Sequence, residues 1–267
     1  LSNANGTKEF YNTWFGRVTV VGDEFKVERS DFTSAYNESK LPFSLKDAGL
    51  QIFKSEKDYY KNLRKIAIQI AEKKVLSEIL SDERYLITLI KTMDEIDLGL
   101  NLFSEKIQEL EDVHDTEIAE RFRNVVKDLK DLRRRVEEEI NKNAEKIMPN
   151  VSSIVGGVIS ARLLEKCGSL RKLSSLPAST IQIIGAEKSL FKAISRMKKG
   201  KKAKIPKHGI IFQHPYIRTL PKKKRGKMAR FMAGKIAIAS RIDHYSGELV
   251  EELSDSVREK FKELKEG

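Results

Sequence analysis

The feature that most restricts the fold is a pair of consecutive apolar seams in the middle of the chain. Leu86, Leu89, Met93, Ile96, Leu100, Phe103, Ile107 and Leu110 recur at spacings of three and four, a pattern that keeps them on one side of an α-helix. A second seam runs through Ile118, Phe122, Val125, Leu129, Leu132 and Val136, then slips by one residue through Ile140 and Ala144 to Ile147, as a stutter does. Between them His114-Asp115 interrupts the pattern, and Asp115 or Thr116 is placed to cap the second helix. Pro149 closes it, because proline disfavours helical geometry at the residue before it. Two seamed helices joined by a tight turn predict an antiparallel hairpin. Its seam closes on its own two arms alone or on a second chain as well; two helices bury little apolar area by themselves, which favours the second chain.

The flanking segments have different patterns. Thr13–Val21 carries Trp14, Phe15, Val18, Val20 and Val21 and is expected to be a strand. Gly22-Asp23 then offers a turn and Phe25–Val27 a returning strand. From about Ser55, the residues Tyr59, Leu63, Ile66, Ile70 and Leu76 predict a partly buried helix. After Pro149, helices are expected at Val151–Glu165, Ile181–Met197, Lys227–Arg241 and Glu248–Lys265, with Gly156-Gly157 allowing close approach of another backbone. Lys198–Arg225 contains Gly200, Pro206, Gly209, Pro215 and Pro221, too much punctuation for one helix, and reads as loops around a short ordered core. The expected fold class is mainly α (α+β overall): a small N-terminal α/β domain over 1–82, a helical hairpin over 83–148 and an all-helical domain over 149–267.

Charge separates these parts. From Val151 onward there are 26 Lys/Arg against 10 Asp/Glu, a net of +16, whereas the first 150 residues carry 25 against 29. Between Lys188 and Arg241 stand 18 Lys/Arg and no acidic residue. A solvated face normally mixes signs, so this stretch repels itself unless a polyanion neutralises it. Its aromatic and imidazole groups, His208, Phe212, His214 and Tyr216, add flat surfaces for bases to the cations for phosphates, which is the composition of a nucleic-acid site. The alternatives are a solubilising lysine surface, which the missing acids oppose, and a membrane surface, which lacks a broad apolar face.

Other chemistries leave little trace. No apolar run reaches the ~18 residues of a membrane span, and Leu1–Gly6 is followed by no apolar core of a signal peptide. Cys167 stands alone and reads as a small buried hydrophobe near a helix end. His114, His208, His214 and His244 have no metal spacing, and neither a P-loop nor a dinucleotide fingerprint occurs. No cofactor and no catalytic residue are therefore expected. Glu187, an acid at the edge of the cationic region, either pairs with Lys188 or a neighbouring arginine as a strut or faces a protein partner.

Three ordered runs carry a family resemblance: PASTIQIIGAEKSLFKAI from Pro177, PKHGIIFQHPYI from Pro206 and RGKMARFMAGKIAIASRID from Arg225. Together they resemble the Nop domain, and the likeness extends upstream through IMPNVSSIVGGVISARLLEKCGSLRKL and IKTMDEIDLGLNLFSEKIQEL. The resemblance implies a non-catalytic scaffold of a box C/D ribonucleoprotein. Its implied partners are fibrillarin through the N-terminal domain, a kink-turn guide RNA with its small ribosomal-type protein, and a second copy through the coiled coil. S-adenosylmethionine would belong to fibrillarin, and the compartment would be the archaeal cytoplasm or the eukaryotic nucleolus. Carried onto this chain, Gly185, Ala186, Glu187 and Lys188 would lie at the joint surface with RNA and the small protein. Lys207, His208, Gln213 and His214 would line the RNA-facing loop, and Arg225, Lys227 and Arg230 would hold phosphates. Arg196 and Lys235 join the RNA-binding set, and Leu100, Phe103 and Ile107 the self-association seam. One departure is that EDVHDTEIAE follows SEKIQEL where the family has an aromatic-rich segment, which implies a shortened coiled coil. A splicing-type Nop protein without a methyltransferase partner is the rival within the family; an RNA-modifying enzyme is the rival outside it.

Overall fold

The computed structural model describes residues 9–21, 24–29, 41–113 and 117–266. The chain divides into two compact units, Leu1–Ile79 and Leu80–Gly267. In the first, β1 (Glu9–Thr13), β2 (Gly16–Val21) and β3 (Glu24–Arg29) form an antiparallel sheet in that order, followed by α1 (Leu45–Leu50) and α2 (Glu56–Ile79). Thr13–Val21 is thus not one strand. The chain turns at Trp14-Phe15, pairing Thr13 with Gly16, and the Thr13 hydroxyl donates to the Gly16 carbonyl at 2.7 Å. Glycine is needed there because a Cβ would lie 2.2 Å from the Glu28 carbonyl oxygen. The turn sets Trp14 against Phe53, rings stacked at 5.4 Å, and Phe15 and Tyr59 complete the aromatic core. The Gly22-Asp23 turn lies outside the described residues. Along α2, Tyr59 is buried and Leu63, Ile66 and Ile70 are half-buried, but Leu76, expected to be covered, is exposed.

The second unit begins with the hairpin, α3 (Asp82–Val113) and α4 (Glu117–Ile147). Each arm is about 48 Å long at the α-helical rise per residue. The α3 seam runs as its spacing predicts, from buried Leu86, Met93 and Ile96 to half-buried Leu100, Phe103, Ile107 and Leu110. On α4 the seam is offset from the expected one. It passes through Ala119, Phe122, Val126, Leu129, Arg133, Val136 and Ile140, in unbroken three–four alternation, while Ile118, Val125 and Leu132 are exposed at seven-residue intervals. The apparent one-residue slip at Val136 arose from reading the outer row as the seam. Arg133 hides the true register from an apolar pattern, because a cation occupies a seam position and bonds Asp97 across the hairpin at 2.6 Å and Glu137 at 2.7 Å. The caps expected at Asp115 or Thr116 lie outside the described residues.

The base of the hairpin and the remaining helices share one core. These helices are α5 (Pro149–Val155), α6 (Gly157–Cys167), α7 (Leu170–Ser175), α8 (Ala178–Ile183), α9 (Glu187–Lys198), α10 (Pro215–Arg218), α11 (Lys222–Tyr245) and α12 (Glu251–Glu266). Val151–Glu165 is broken at Gly156, whose φ of 82° admits glycine readily. Gly157 then meets α4 so closely that a Cβ would stand 2.7 Å from the Asn141 Cα, the close approach its sequence suggests. Arg162 of α6 holds Asp94 of α3 with two bonds, at 2.6 and 3.1 Å.

Long α11 runs through the centre of this unit, packing Met228, Ala229, Met232, Ala233, Ile236 and Ala239 inward. It starts earlier than expected because Pro221 stands just before its first turn and lysines propagate a helix well. At its other end buried Asp243 accepts from the Asn150 and Val151 backbone N–H groups, at 2.9 and 3.0 Å, and from the Asn150 side chain at 2.7 Å. Asn150 in turn bonds the Glu248 carbonyl and the Val250 N–H. One carboxylate therefore satisfies the orphan donors of the α5 N-terminus and fixes the start of α12. Asp243→Ala would bury three donors without acceptors and is expected to lower stability on the order of 3 kcal/mol. Urea unfolding followed by circular dichroism checks this; an unchanged midpoint would contradict it.

Candidate nucleic-acid interface

Residues 181–197, expected as one helix, are split. Gly185 adopts φ 85° between α8 and α9, and the backbone doubles as a receptor for the next signature run. Gly209 N–H donates to the Gln182 carbonyl at 2.9 Å and Ile210 N–H to the Ile184 carbonyl at 2.7 Å. The Gln182 side chain donates to the Lys207 carbonyl at 2.6 Å. Contact is so close that a Cβ on Gly209 would fall 1.8 Å from the Ile184 oxygen, and one on Gly185 2.6 Å from the Ile210 side chain. Both glycines are therefore required by approach, and they bring the GAEK and HGII segments side by side.

The loop then folds as a 3-10 turn over Ile210–Gln213 and as α10, anchored by fully buried Ile211, Ile217 and Leu220. This is the short ordered core that the punctuation implies. Above it the His208 ring stacks on Phe212 at 4.3 Å, nearly parallel, and the Arg225 guanidinium lies 5.5 Å from the centre of that Phe212 ring. Arg225 also donates to the Leu220 and Arg218 carbonyls at 2.8 and 2.9 Å. It is a half-buried strut as well as a cation. Lys207 crosses the start of α11, its Cδ 3.4 Å from where a Gly226 Cβ would be. The three signature runs thus meet at one surface.

The remaining cations divide into two groups. Lys188 and Arg196 on α9 and Lys227 and Arg230 on α11 are exposed, with Lys223, Lys227 and Arg230 at helical spacing on one side. Lys235, half-buried, sits 5.6 Å from the Phe231 ring centre, and Arg241 donates to the Ser174 carbonyl at 3.3 Å. Both lie further along α11 and take internal contacts. Gln213 is exposed at the end of the 3-10 turn. Glu187 is exposed, and it does not act through Lys188 or an arginine among the described ion pairs. Its carboxylate accepts the Gly185 N–H at 2.6 Å, closing the turn that precedes α9. Ala186 forms the helix start beside it.

One feature escaped the sequence reading. Phe191, Ile194 and Met197 form an exposed apolar row on α9, amid Lys188, Lys192 and Arg196. Their three-residue spacing was the available signal, but in a helix such spacing more often marks core. The seam residues assigned to self-association make contacts within their own hairpin. Phe103 faces Phe122 of the same hairpin at 5.6 Å, Leu100 packs on the shared core, and Ile107 lines a groove with Arg123 and Val126. They close the hairpin on itself. Outward apolar residues include Leu98, Leu102 and Val113 on α3 and Ile118, Val125 and Leu132 on α4.

Burial, with help from the Arg225 and Lys207 charges, holds His208 below its ordinary value. Burial brings His214 down to about 4. Its Nδ1 accepts the Tyr216 N–H at 3.2 Å, capping α10, so protonation removes the acceptor. His214 therefore fixes the loop through Nδ1. Because its folded value lies below the ordinary 6.5, the unfolded chain takes up the proton first. Stability from neutral His214 is full above about pH 6.5 and is lost as pH falls toward about 4. Ring-proton NMR should show His214 unchanged from about pH 8 to about pH 5; a midpoint near 6.5 would mean the cap is open.

Comparison with known proteins agrees with this architecture. The family model described as "snoRNA binding domain, fibrillarin", the Nop family, matches residues 50–263. A NOP5 family protein of Methanocaldococcus jannaschii is 36% identical over 59% of this chain and 36% of its own length. Nucleolar protein 56 of Caenorhabditis elegans is 29% identical over 80% of this chain and 43% of its own length. The chain thus spans less than half the length of these curated relatives. A solved structure titled as a fibrillarin/Nop5p complex contains a chain 43% identical, with a TM-score of 0.58, over 96% of this chain and 100% of that one. With the matched region extending from α1 through the hairpin and the cationic helices to α12, the chain belongs to the Nop family.

Proposed function

We propose that this chain is the non-catalytic scaffold of a box C/D-type guide ribonucleoprotein. It binds kink-turn RNA together with a small ribosomal-type protein and holds fibrillarin in place for ribose 2′-O-methylation. Residues 1–82 are the fibrillarin-binding part, 83–148 the hairpin and 149–267 the RNA-binding part. The observation that carries the reading is the convergence of three signature runs on one cation-rich surface, where Arg225 lies over the stacked His208–Phe212 pair and Lys188, Lys227 and Arg230 are exposed on α9 and α11. Phosphate contacts supply affinity there, and the flat pair offers a platform to a splayed base. The exposed Phe191–Met197 row beside them supplies apolar area for a protein, which supports a composite partner over naked RNA.

In this reading the chain contributes position. A methyltransferase held at a fixed place on a guide–target duplex gains from proximity and orientation, and S-adenosylmethionine belongs to that partner. The relative solved with fibrillarin supports this over a splicing-type role without an enzyme. Self-association uses the outer row of Leu98, Leu102, Ile118, Val125 and Leu132, since the inner seam is filled. The particle works in the cytoplasm of an archaeon or the nucleolus of a eukaryote.

Titration of kink-turn RNA, with and without its small protein, tests the reading. Affinity should fall steeply with salt, and Lys227→Ala or Arg230→Ala should each flatten the log–log salt slope by about one unit with little change in sequence preference. Arg225→Ala should also lower thermal stability, because it frees the Arg218 and Leu220 carbonyls. A salt-independent affinity would contradict the phosphate-contact account.

A further inference from the structure

The RNA-facing loop is anchored from outside the three signature runs. Tyr216, at the start of α10, stacks on Phe261 of α12 with ring centres 4.3 Å apart and planes 11° apart. The Tyr216 ring also meets the His214 ring in a T-shaped contact at 4.7 Å, and its N–H is the one capped by His214. His214 N–H donates to the Ile211 carbonyl, and its own carbonyl accepts from Ile217 and Arg218, so a shift of this residue moves both turns. The platform beneath Phe261 is firm. Leu253, Val257 and Leu264 of α12 are buried, and Asn150 accepts the Val250 N–H at 2.7 Å.

We propose that Phe261 is a positioning residue for RNA binding: its ring fixes Tyr216, and through it the turn that presents Gln213 and His208–Phe212. The proposal rests on the RNA-binding reading above. Phe261 touches no RNA in it and acts only through Tyr216. Burial alone does not satisfy the requirement, because a flat ring is needed to oppose a flat ring. An aliphatic side chain of similar bulk keeps the core covered but lets Tyr216 rotate.

The test uses the full chain and a synthetic kink-turn RNA carrying its small protein, read by fluorescence anisotropy well below the melting temperature of every variant. Phe261→Leu should weaken binding about three- to tenfold with an unchanged salt slope, since no phosphate contact is lost. Phe261→Tyr, which keeps the ring, should bind within about twofold of the original chain. Tyr216→Leu should show the same loss as Phe261→Leu, and the double variant no more than either alone. Unchanged affinity of Phe261→Leu beside a binding original chain would overturn the proposal, whatever happens to its melting temperature. Equal losses for Phe261→Leu and Phe261→Tyr would overturn it too. Failure of the original chain to bind the RNA would instead overturn the RNA-binding reading, and the proposal with it.

Discussion

Two backbone hydrogen bonds, from Gly209 and Ile210 to the carbonyls of Gln182 and Ile184, hold the cationic surface together. They behave like a single rung pair between segments that belong to no sheet, and they exist only because neither Gly185 nor Gly209 carries a Cβ. Everything functional is hung on that junction. On one side Gly185 ends α8 and Glu187 starts α9 by accepting the Gly185 N–H. On the other, the 3-10 turn delivers Phe212 to His208 and Arg225. Without the junction the loop would lose its backbone tie to the α8–α9 turn.

The surface also has to survive its own charge. Like charges over 54 positions destabilise a compact state, and the fold offsets this in three ways. Arg225 and Arg241 direct N–H groups to backbone carbonyls. Lys235 rests near an aromatic face. Burial lowers the pKa of both His208 and His214. The helices below supply the cohesion, with small and flexible side chains, Ala229, Met232 and Ala233 among them, letting α11 run through the centre of the core. Exposed cations, Lys188, Lys227 and Arg230 among them, are those that a polyanion can reach.

Much of this was legible in the residues. The hairpin followed from three–four spacing, and the basic surface from the missing acids. Where the reading failed, a local pattern was overruled by a tertiary partner. The α4 seam was misregistered because Arg133 takes an apolar position and is satisfied by Asp97 on the other arm, which no spacing rule sees. Residues 181–197 looked like one helix because a single glycine weakens a helix only modestly, whereas Gly185 is held at φ 85° by Ile210 packed against it. The capping role of His214 was not legible because it depends on burial, which a basic run does not suggest. Asp243 and Phe261 act across long stretches of chain, on Asn150 and Tyr216, and carry no local mark. Glu187 remained open between strut and partner contact; the bond to Gly185 N–H supplies the strut and leaves its exposed face available.

The central claim is that RNA and its small protein are gripped together at the junction of the three runs. Ultraviolet cross-linking of a kink-turn RNA–protein complex to the full chain, with the joined peptides mapped by mass spectrometry, tests it most directly. The account predicts RNA cross-links within residues 185–214 and 222–230, lost when the RNA is replaced by a straight duplex. Cross-links confined to the hairpin or the N-terminal sheet, or equal yields from the straight duplex, would contradict it.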